Sequence, residues 1–458
     1  MKLRPYQEAA AEKVIDYAIE HPNGRVLLVL PARGGKTPTA AKIVLYMAHN
    51  NGFPALWVAH RRELVEQARD HLVECGIPEE MVGVIMARDR RSNPSAPIQV
   101  ASVDTLSRRE KPPAEVVVTD EAHRDSSDGR RKLRALYPEA FKLGITGTPI
   151  RTDGRGLHED YDTMIVGALP SELIADGYLA VPRIFCPPRK LLPDLNGVRT
   201  VAGDFDLGQL QTASDKAALV GNIVTEWQRL AGGRRTIVFP VGVEHSKHII
   251  KRFRAAGIEA KHIDGDTAPT VRRNILLALA EGTVQVVSSV GVLSEGIDMP
   301  PVKCVVLARP TKSPALHIQQ ACRGMTPWND ESPLILDHAG NVLRPGLGLP
   351  HADREWPFGA TTRAAREAWK KQGPTRRCEN CGAVCAAGRA SCPECAKPFP
   401  TDLVVPGEKD AELVEHRPSA DEIAAERARL EAFAVDRSFK DPAGWVAKVI
   451  AAKFGEAA

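Results

Sequence analysis

Short, continuously apolar runs alternate with longer amphipathic stretches through the first 340 residues of the chain. Val26–Leu30, Ala55–Ala59, Ile98–Ser102, Val116–Thr119 and Leu143–Thr146 are rich in Val, Ile and Leu. A strand that is apolar at nearly every position is covered on both faces, as in a parallel sheet. Between these runs, Thr37–Asn51 and Arg62–Cys75 have the spacing of amphipathic helices. Neighbouring parallel strands need a crossover, so the alternation predicts βαβ units in a doubly wound sheet.

The pattern weakens after Arg151, and residues 186–215, with Pro-Pro, Pro-Asp and several Gly, read as a linker. A second alternating block follows: Thr236–Phe239, Ala260–Ile263, Val284–Ser288, Val302–Leu307 and Leu334–Leu336. Strands stop near residue 345. A stretch containing Pro and Gly leads to a cysteine cluster and then to a charged, Ala-rich tail. In that tail Ser419–Ala434 and Ala443–Phe454 read as helices, and Ser419 with Glu422 has the spacing of a capping box. The breaks predict an α/β domain over 1–183, a linker over 184–216, a second α/β domain over 217–345 and a connector over 346–376. A cysteine module over 377–400 and a helical tail over 401–458 complete the expected order.

Composition sharpens this picture only in part. A chain of 458 residues exceeds what a single core usually serves, and 43% hydrophobic with 26% charged residues suits a globular protein. No apolar run is long enough to cross a bilayer, and Met1–Gln7 lacks the apolar stretch of a signal peptide, so the expected location is the cytoplasm. Net charge is only +4, yet basic residues cluster at Arg61-Arg62, Arg88–Arg91, Arg108-Arg109, Arg130–Lys132 and Arg376-Arg377. Such runs either line a phosphate track or form a solvated surface.

Specific chemistry begins at Leu30-Pro31-Ala32-Arg33-Gly34-Gly35-Lys36-Thr37, which ends a predicted strand and opens a predicted helix. Small residues let backbone N–H groups approach phosphate oxygens, Lys36 neutralises β/γ charge, and the Thr37 hydroxyl can hold magnesium at the helix N-terminus. Leu30 occupies the place of the first glycine in the general phosphate-loop pattern. About eighty residues on, the strand Val116–Thr119 runs into Asp120-Glu121-Ala122-His123. Asp120 can hold magnesium through water, and Glu121 can orient or deprotonate the attacking water in phosphoryl transfer.

Asp120-Glu121-Ala122-His123 resembles motif II of the DEAD/DEAH-box superfamily 2 helicases, and further segments resemble the other motifs in the family's order. They are Leu3–Gln7 (the adenine-reading motif), Val58–Leu64 (Ia), Ala101–Leu106 (Ib) and Gly144–Pro149 (III). Ile237–Phe239 with His245 (IV), Ser289–Asp298 (V) and Gln319–Gly324 (VI) follow. The set covers about three-quarters of the chain. Ala308–Ser313 and Leu336–Asn341 resemble the second domain of the RadD-like and phage-encoded helicases.

The resemblance implies two RecA-like doubly wound domains in tandem, with ATP and Mg2+ between them. Gln7, with Arg4 beside it, would read adenine, and Gly34, Gly35, Lys36 and Thr37 would cradle the phosphates. Gly296 and Asp298 would face the nucleotide, with Asp298 on the ribose, and Arg323 would reach the γ-phosphate from the second domain. His60, Arg61, Ser102, Thr105, Ser289 and Thr311 would hold a sugar-phosphate track. Three positions depart from the family pattern: Arg33 and Cys322 stand where relatives usually carry glycine, and Thr326 where they carry a second arginine.

Nine cysteines include five within eighteen residues. Cys378-Glu379-Asn380-Cys381 and Cys392-Pro393-Glu394-Cys395 are two C-x-x-C knuckles ten residues apart, the pattern of a four-cysteine zinc ribbon. Cys385 is a spare thiol or an alternate ligand. The functional expectation is an ATP-dependent helicase or translocase acting on DNA in repair, recombination or phage replication, with protein partners reached through the ribbon or tail and no membrane. An RNA helicase and a slow ATP-gated binding switch are the competing readings.

Overall fold

In the computed structural model, the described residues are 2–87, 89–124, 128–151, 155–214, 217–293, 302–327, 331–359, 374–399, 424, 427–432, 435 and 441–454. The first half runs α1 (Pro5–Glu20), β1 (Arg25–Val29), α2 (Lys36–Val44), β2 (Ala55–Ala59), α3 (Arg62–Glu74), β3 (Val82–Ile85) and β4 (Ile98–Ser102). It continues through α4 (Val103–Leu106), β5 (Val116–Asp120), α5 (Asp128–Ala135), β6 (Phe141–Thr146), β7 (Thr163–Val166) and α6 (Pro170–Ala175). The strands form one sheet in the order β3-β4-β2-β5-β6-β1-β7, with every pair parallel. Each residue of β2, β5 and β6 is buried, which is why those strands read as unbroken apolar runs.

The second half runs β8 (Arg183–Phe185), β9 (Thr200–Val201), β10 (Asp204–Phe205), α7 (Leu207–Ser214), α8 (Ala217–Ala231), β11 (Thr236–Phe239), α9 (Val243–Ala255) and β12 (Ala260–Ile263). Then come α10 (Pro269–Glu281), β13 (Val286–Ser289), β14 (Cys304–Leu307), α11 (Pro314–Ala321) and β15 (Leu334–Asp337). Six of these strands form a second all-parallel sheet, β12-β13-β11-β14-β15-β8. Two doubly wound RecA-like domains therefore stand in tandem.

Two stretches differ from the expected organisation. Arg183–Phe185, which straddles the expected boundary between first domain and linker, is the edge strand of the second sheet and pairs with β15, so the chain crosses between the sheets before residue 183. Three residues are too few to show a period, and the flanking prolines mask them. The connector also returns to the first domain. Asp353 accepts hydrogen bonds from the Ser171 N–H (2.9 Å) and hydroxyl (2.6 Å), while Trp356 and Phe358 pack against Leu27, Val29, Leu157 and Tyr161.

The cysteine module holds an antiparallel pair, β16 (Thr375–Arg377) and β17 (Val384–Ala386), and it lies against β8. Phe185 bridges to Ala383, the Cys186 N–H donates to the Gly382 carbonyl (3.0 Å), and the Arg377 side chain donates to the Cys186 carbonyl. Residues 1–399 make one compact unit and 400–458 another. Within the latter, α12 (Pro442–Phe454) starts where an Asp441 carboxylate oxygen accepts from the Gly444 N–H, and Val446 and Ile450 pack with Leu430. The expected capping pair Ser419 and Glu422, with most of the helix they would start, lies outside the described residues.

Candidate nucleotide site

The phosphate loop turns tightly between β1 and α2. The Gly34 N–H donates to the Pro31 carbonyl (2.8 Å), and Arg33 and Gly35 adopt left-handed backbone angles, φ 70° and 75°. At Gly35 a Cβ would sit 1.9 Å from Gln7 Nε2, so a larger residue would displace the Gln7 amide as well as strain the backbone at φ 75°. Gly35 caps α2, and Lys36 and Thr37 are its first two residues. The first N–H groups of a helix lack intrahelical partners and point where a phosphate is favoured.

Arg4, Tyr6 and Gln7 brace this loop from α1. Gln7, 5% exposed, donates through Nε2 to the Gly34 carbonyl (3.2 Å) and accepts through Oε1 from the Arg4 N–H (2.9 Å). The Tyr6 hydroxyl also donates to the Gly34 carbonyl (3.0 Å), and the Arg4 guanidinium lies 4.4 Å from the centre of the Tyr178 ring. The expected adenine-reading pair thus sits beside the loop, with the Gln7 amide nitrogen engaged by the loop itself.

Asp120 ends β5 and Glu121 follows it in the turn; both are buried. Glu121 has φ 50°, a conformation that costs a residue with a Cβ about 1 kcal/mol, and its N–H donates to Asp120 Oδ1 (2.8 Å). Arg130 Nη1 donates to the carbonyls of both residues (3.2 Å each) and holds the turn. His123 Nδ1 lies 3.4 Å from Glu121 Oε2 and 3.2 Å from Thr146 Oγ1, which accepts from the Thr148 N–H (3.1 Å). The ends of β5 and β6 are therefore physically linked. Burial, reinforced by the charge of Glu121 and opposed by Lys36, pushes the Asp120 carboxyl up to about 7.

A cleft of about 270 Å³ is lined by Arg33, Gly35, Lys36, Thr37, Asp120 and Glu121 from the first domain and by Gln319, Cys322 and Arg323 from the second. Arg323, 8% exposed, lies in the turn that follows α11. Ile318, Cys322 and Met325 pack into the core of the first domain, and the Ala180 N–H donates to the Met325 carbonyl (2.9 Å). The hydroxyl of Thr37 and the buried carboxylate of Asp120 make an all-oxygen donor set that suits Mg2+.

The expected strand-contacting residues divide into three groups. His60 follows β2, Ser102 ends β4, and Thr105, in α4, accepts from the Ala87 N–H (3.2 Å); all three lie at the carboxyl edge of the first sheet. Ser289 and Thr311 are buried. Ser289 Oγ accepts from the Leu293 N–H (3.1 Å), and Thr311 Oγ1 donates to Asp204 Oδ2 (2.9 Å). Arg61 reaches across to the second domain, donating to the carbonyls of Val292 (2.9 Å) and Gly291 (2.8 Å). Nearby, Arg272 of α10 pairs with Glu63 of α3. Gly296 and Asp298 lie outside the described residues.

Arg272 and Asp204 carry no mark in the sequence, Glu63 is visible only as part of the Val58–Leu64 segment, and Arg130, expected in a basic run on a phosphate track or a solvated surface, is instead buried against the Asp120 and Glu121 carbonyls. Asp204 receives Arg309, the Thr311 hydroxyl and the Lys312 N–H together. It falls in the stretch that reads as a linker, where no periodicity marks it.

The Sγ atoms of Cys378, Cys381, Cys392 and Cys395 all lie within 4.8 Å of one another, with Cys378–Cys395 at 3.7 Å and Cys381–Cys392 at 3.6 Å. A tetrahedral zinc with Zn–S bonds of about 2.3 Å has sulfur–sulfur edges of about 3.8 Å, so the set fits that ion. Cys385, buried in β17, is outside the set.

Residues 1–151 match the family described as Type III restriction enzyme, res subunit, and residues 215–325 match the Helicase conserved C-terminal domain. The chain is 28% identical over 374 residues to a 51.5 kDa protein of a Lactococcus phage, covering 81% of this chain and 77% of that one. It is 27% identical over 342 residues to a Saccharomyces cerevisiae protein named provisionally as ATP-dependent helicase IRC3, covering 70% of this chain and 49% of the yeast protein. The chain thus spans about three-quarters of the length of the first relative and half that of the second. In fold it is similar to the ATP-dependent Type ISP restriction-modification enzyme LlaBIII bound to DNA, with TM-score 0.56 and 17% identity over 80% of this chain and 29% of that one.

Proposed function

From the premise that this chain belongs to the superfamily 2 helicases, an ATP-hydrolysing class, we propose that it couples ATP turnover to movement along DNA. The observation that carries the reading is the shared cleft: Lys36, Asp120 and Glu121 face Arg323, which comes from the other domain. Hydrolysis in a split site changes how tightly the two halves associate, and strand contacts that differ between the two states become steps.

In this scheme Lys36 and the first amides of α2 hold the β- and γ-phosphates, and Glu121 orients the attacking water and takes its proton. Arg323 stabilises charge on the transferred group as the halves close. Thr37 and Asp120 would hold magnesium, which supplies charge neutralisation between the phosphates. Arg4 and Gln7 take the adenine side. Asp298, with Gly296, takes the ribose, and His60, Ser102 and Thr105 take the backbone of the strand. Ser289 and Thr311 shape the second-domain part of the track from within.

DNA is favoured over RNA by the match to the family described as Type III restriction enzyme, res subunit. The work would be repair, recombination or phage replication in the cytoplasm of a bacterium or an infected host. Among the described residues no helix is long and apolar enough to cross a membrane. Zinc on the four cysteines would hold the ribbon against β8.

Steady-state ATPase measured in parallel with no polymer, single-stranded DNA, duplex DNA and RNA tests the proposal. Stimulation by DNA that falls steeply with salt is expected. Stimulation by RNA alone would replace DNA as the track, and turnover indifferent to every polymer would reject the motor.

A further inference from the structure

We propose that Arg33 is a second catalytic arginine of the ATPase site, contacting the γ-phosphate from within the phosphate loop. The inference rests on the chain being an ATP-hydrolysing enzyme.

Three observations carry it. Arg33 is held at φ 70°, in the left-handed region where a side chain is disfavoured and glycine is at ease. An arginine stands at a position that glycine would occupy with less strain. Second, its side chain does not escape to solvent. Arg33 lines the cleft beside Lys36, Thr37 and Glu121, and its Nε and Nη2 atoms are shielded from water. Third, it shares the cleft with Arg323 of the opposing wall, and Cys322 of that wall lines the same cleft between them and bears the charge of both.

The chemistry of the cleft calls for such a group. A triphosphate brings four negative charges to a site that already holds Asp120 and Glu121. Among the described residues, the second domain contributes one cation to the cleft lining, Arg323. Three residues further on stands Thr326, a half-buried neutral side chain. Charge that the second domain does not supply there is supplied from the loop by Arg33. A planar guanidinium suits a phosphate edge, since it offers two parallel N–H donors. The two arginines then differ in what they report. Arg33 travels with the loop and meets the γ-phosphate whenever ATP is bound, whereas Arg323 meets it only when the domains close. Arg33 therefore sets the polymer-independent turnover and the preference for ATP over ADP.

The test compares the full chain with Arg33→Gly and Arg33→Lys. It measures turnover together with affinity for ADP and for a non-hydrolysable ATP analogue. Arg33→Gly should lower kcat roughly a hundredfold, as removal of a transition-state donor does. Analogue affinity should fall roughly tenfold and ADP affinity should not change. Its melting temperature should not drop, because glycine accepts the backbone angle. Arg33→Lys should recover part of the loss, as should guanidinium ion added to Arg33→Gly. Unchanged turnover would overturn the assignment. Equal losses of ADP and analogue affinity would also overturn it, placing Arg33 on the inner phosphates or in loop shape. A wild-type chain that fails to hydrolyse ATP would remove the ATPase reading instead, and the comparison of ADP with analogue would still decide Arg33.

Discussion

Arg61, at the start of α3, donates through Nη2 to the carbonyl of Gly291 at 2.8 Å, joining the first domain to the loop that follows β13 in the second. A second bond from Nη1 to Val292 makes the contact a two-pronged clasp, and the Glu63–Arg272 pair adds to it from the first turn of α3. Both donors are charged, which strengthens each bond relative to a neutral one. The same guanidinium belongs to the basic run expected on the strand track, so the clasp sits where strand binding and domain closure meet.

Arg61→Ala is therefore expected to uncouple polymer from turnover. Basal ATPase should change less than about twofold, while stimulation by DNA falls about tenfold, the loss of one to two charge-assisted hydrogen bonds. Rates with and without saturating DNA give the ratio directly. If stimulation survives intact, the clasp is not part of the coupling.

Glu121→Gln and Arg323→Ala should both bind ATP and hydrolyse it more slowly, for different reasons. Glu121→Gln removes the group that takes the proton and should cost roughly 100- to 10,000-fold in kcat with or without DNA. Arg323→Ala removes charge stabilisation that arrives with the second domain, so its loss should be largest in the DNA-stimulated rate. Nucleotide affinity measured beside turnover separates binding from chemistry. Near-normal turnover in Glu121→Gln would move the water-activating role elsewhere.

Zinc removal should reach beyond the ribbon. The Gly382 carbonyl after the first knuckle accepts from Cys186, and Ala383, Cys378 and Cys392 pack in the same core as Phe185 and Trp227. Purified under reducing conditions, the chain should carry about one zinc, and Cys392→Ser should release it. Hydrogen exchange should then rise at Ile184–Cys186 as well as in the knuckles. Protection that stays native along β8 would show a ribbon independent of the second sheet.

Acid should weaken the fold through three histidines. Burial lowers His317, His338 and His351 from the usual 6.5 to about 4, and the charge of Arg354 adds to the effect at His317 and His351. Below pH 6.5 the unfolded chain takes up protons that the folded chain refuses, so stability is lost as pH falls from 6.5 towards 4. Each histidine is worth on the order of 3 kcal/mol across that window. Asp120 and Asp337 act in the opposite sense: burial raises both above the usual carboxyl value, so their contributions fall as pH rises through that range. The three histidines outnumber these two carboxyls, and the melting temperature should drop between about pH 6.5 and 4.5. His317→Gln, whose amide can still donate to the Gly348 carbonyl as His317 does at 3.0 Å, should flatten the slope. A melting temperature constant over this range would contradict the assignment.

Much of this protein is legible in the order of its residues. A strand buried on both faces has to be apolar throughout, so β2, β4, β5, β11 and β15 announce themselves. The phosphate loop and the Asp120-Glu121 pair are equally visible, because their chemistry depends on neighbours along the chain. The two cysteine knuckles are visible for the same reason. Edge strands are less so: β12 is legible, but β3 carries Gly83 packed against Gln99, and β8 has three residues between prolines. Contacts between distant segments leave no local trace at all. That Arg61 reaches Gly291, that the connector returns to Ser171, that Asp204 gathers Thr311 and Lys312, and that Arg33 and Arg323 converge on one cleft all depend on how two separately legible domains fold against each other. Periodicity records which face of an element is buried, and only the tertiary structure decides what covers it.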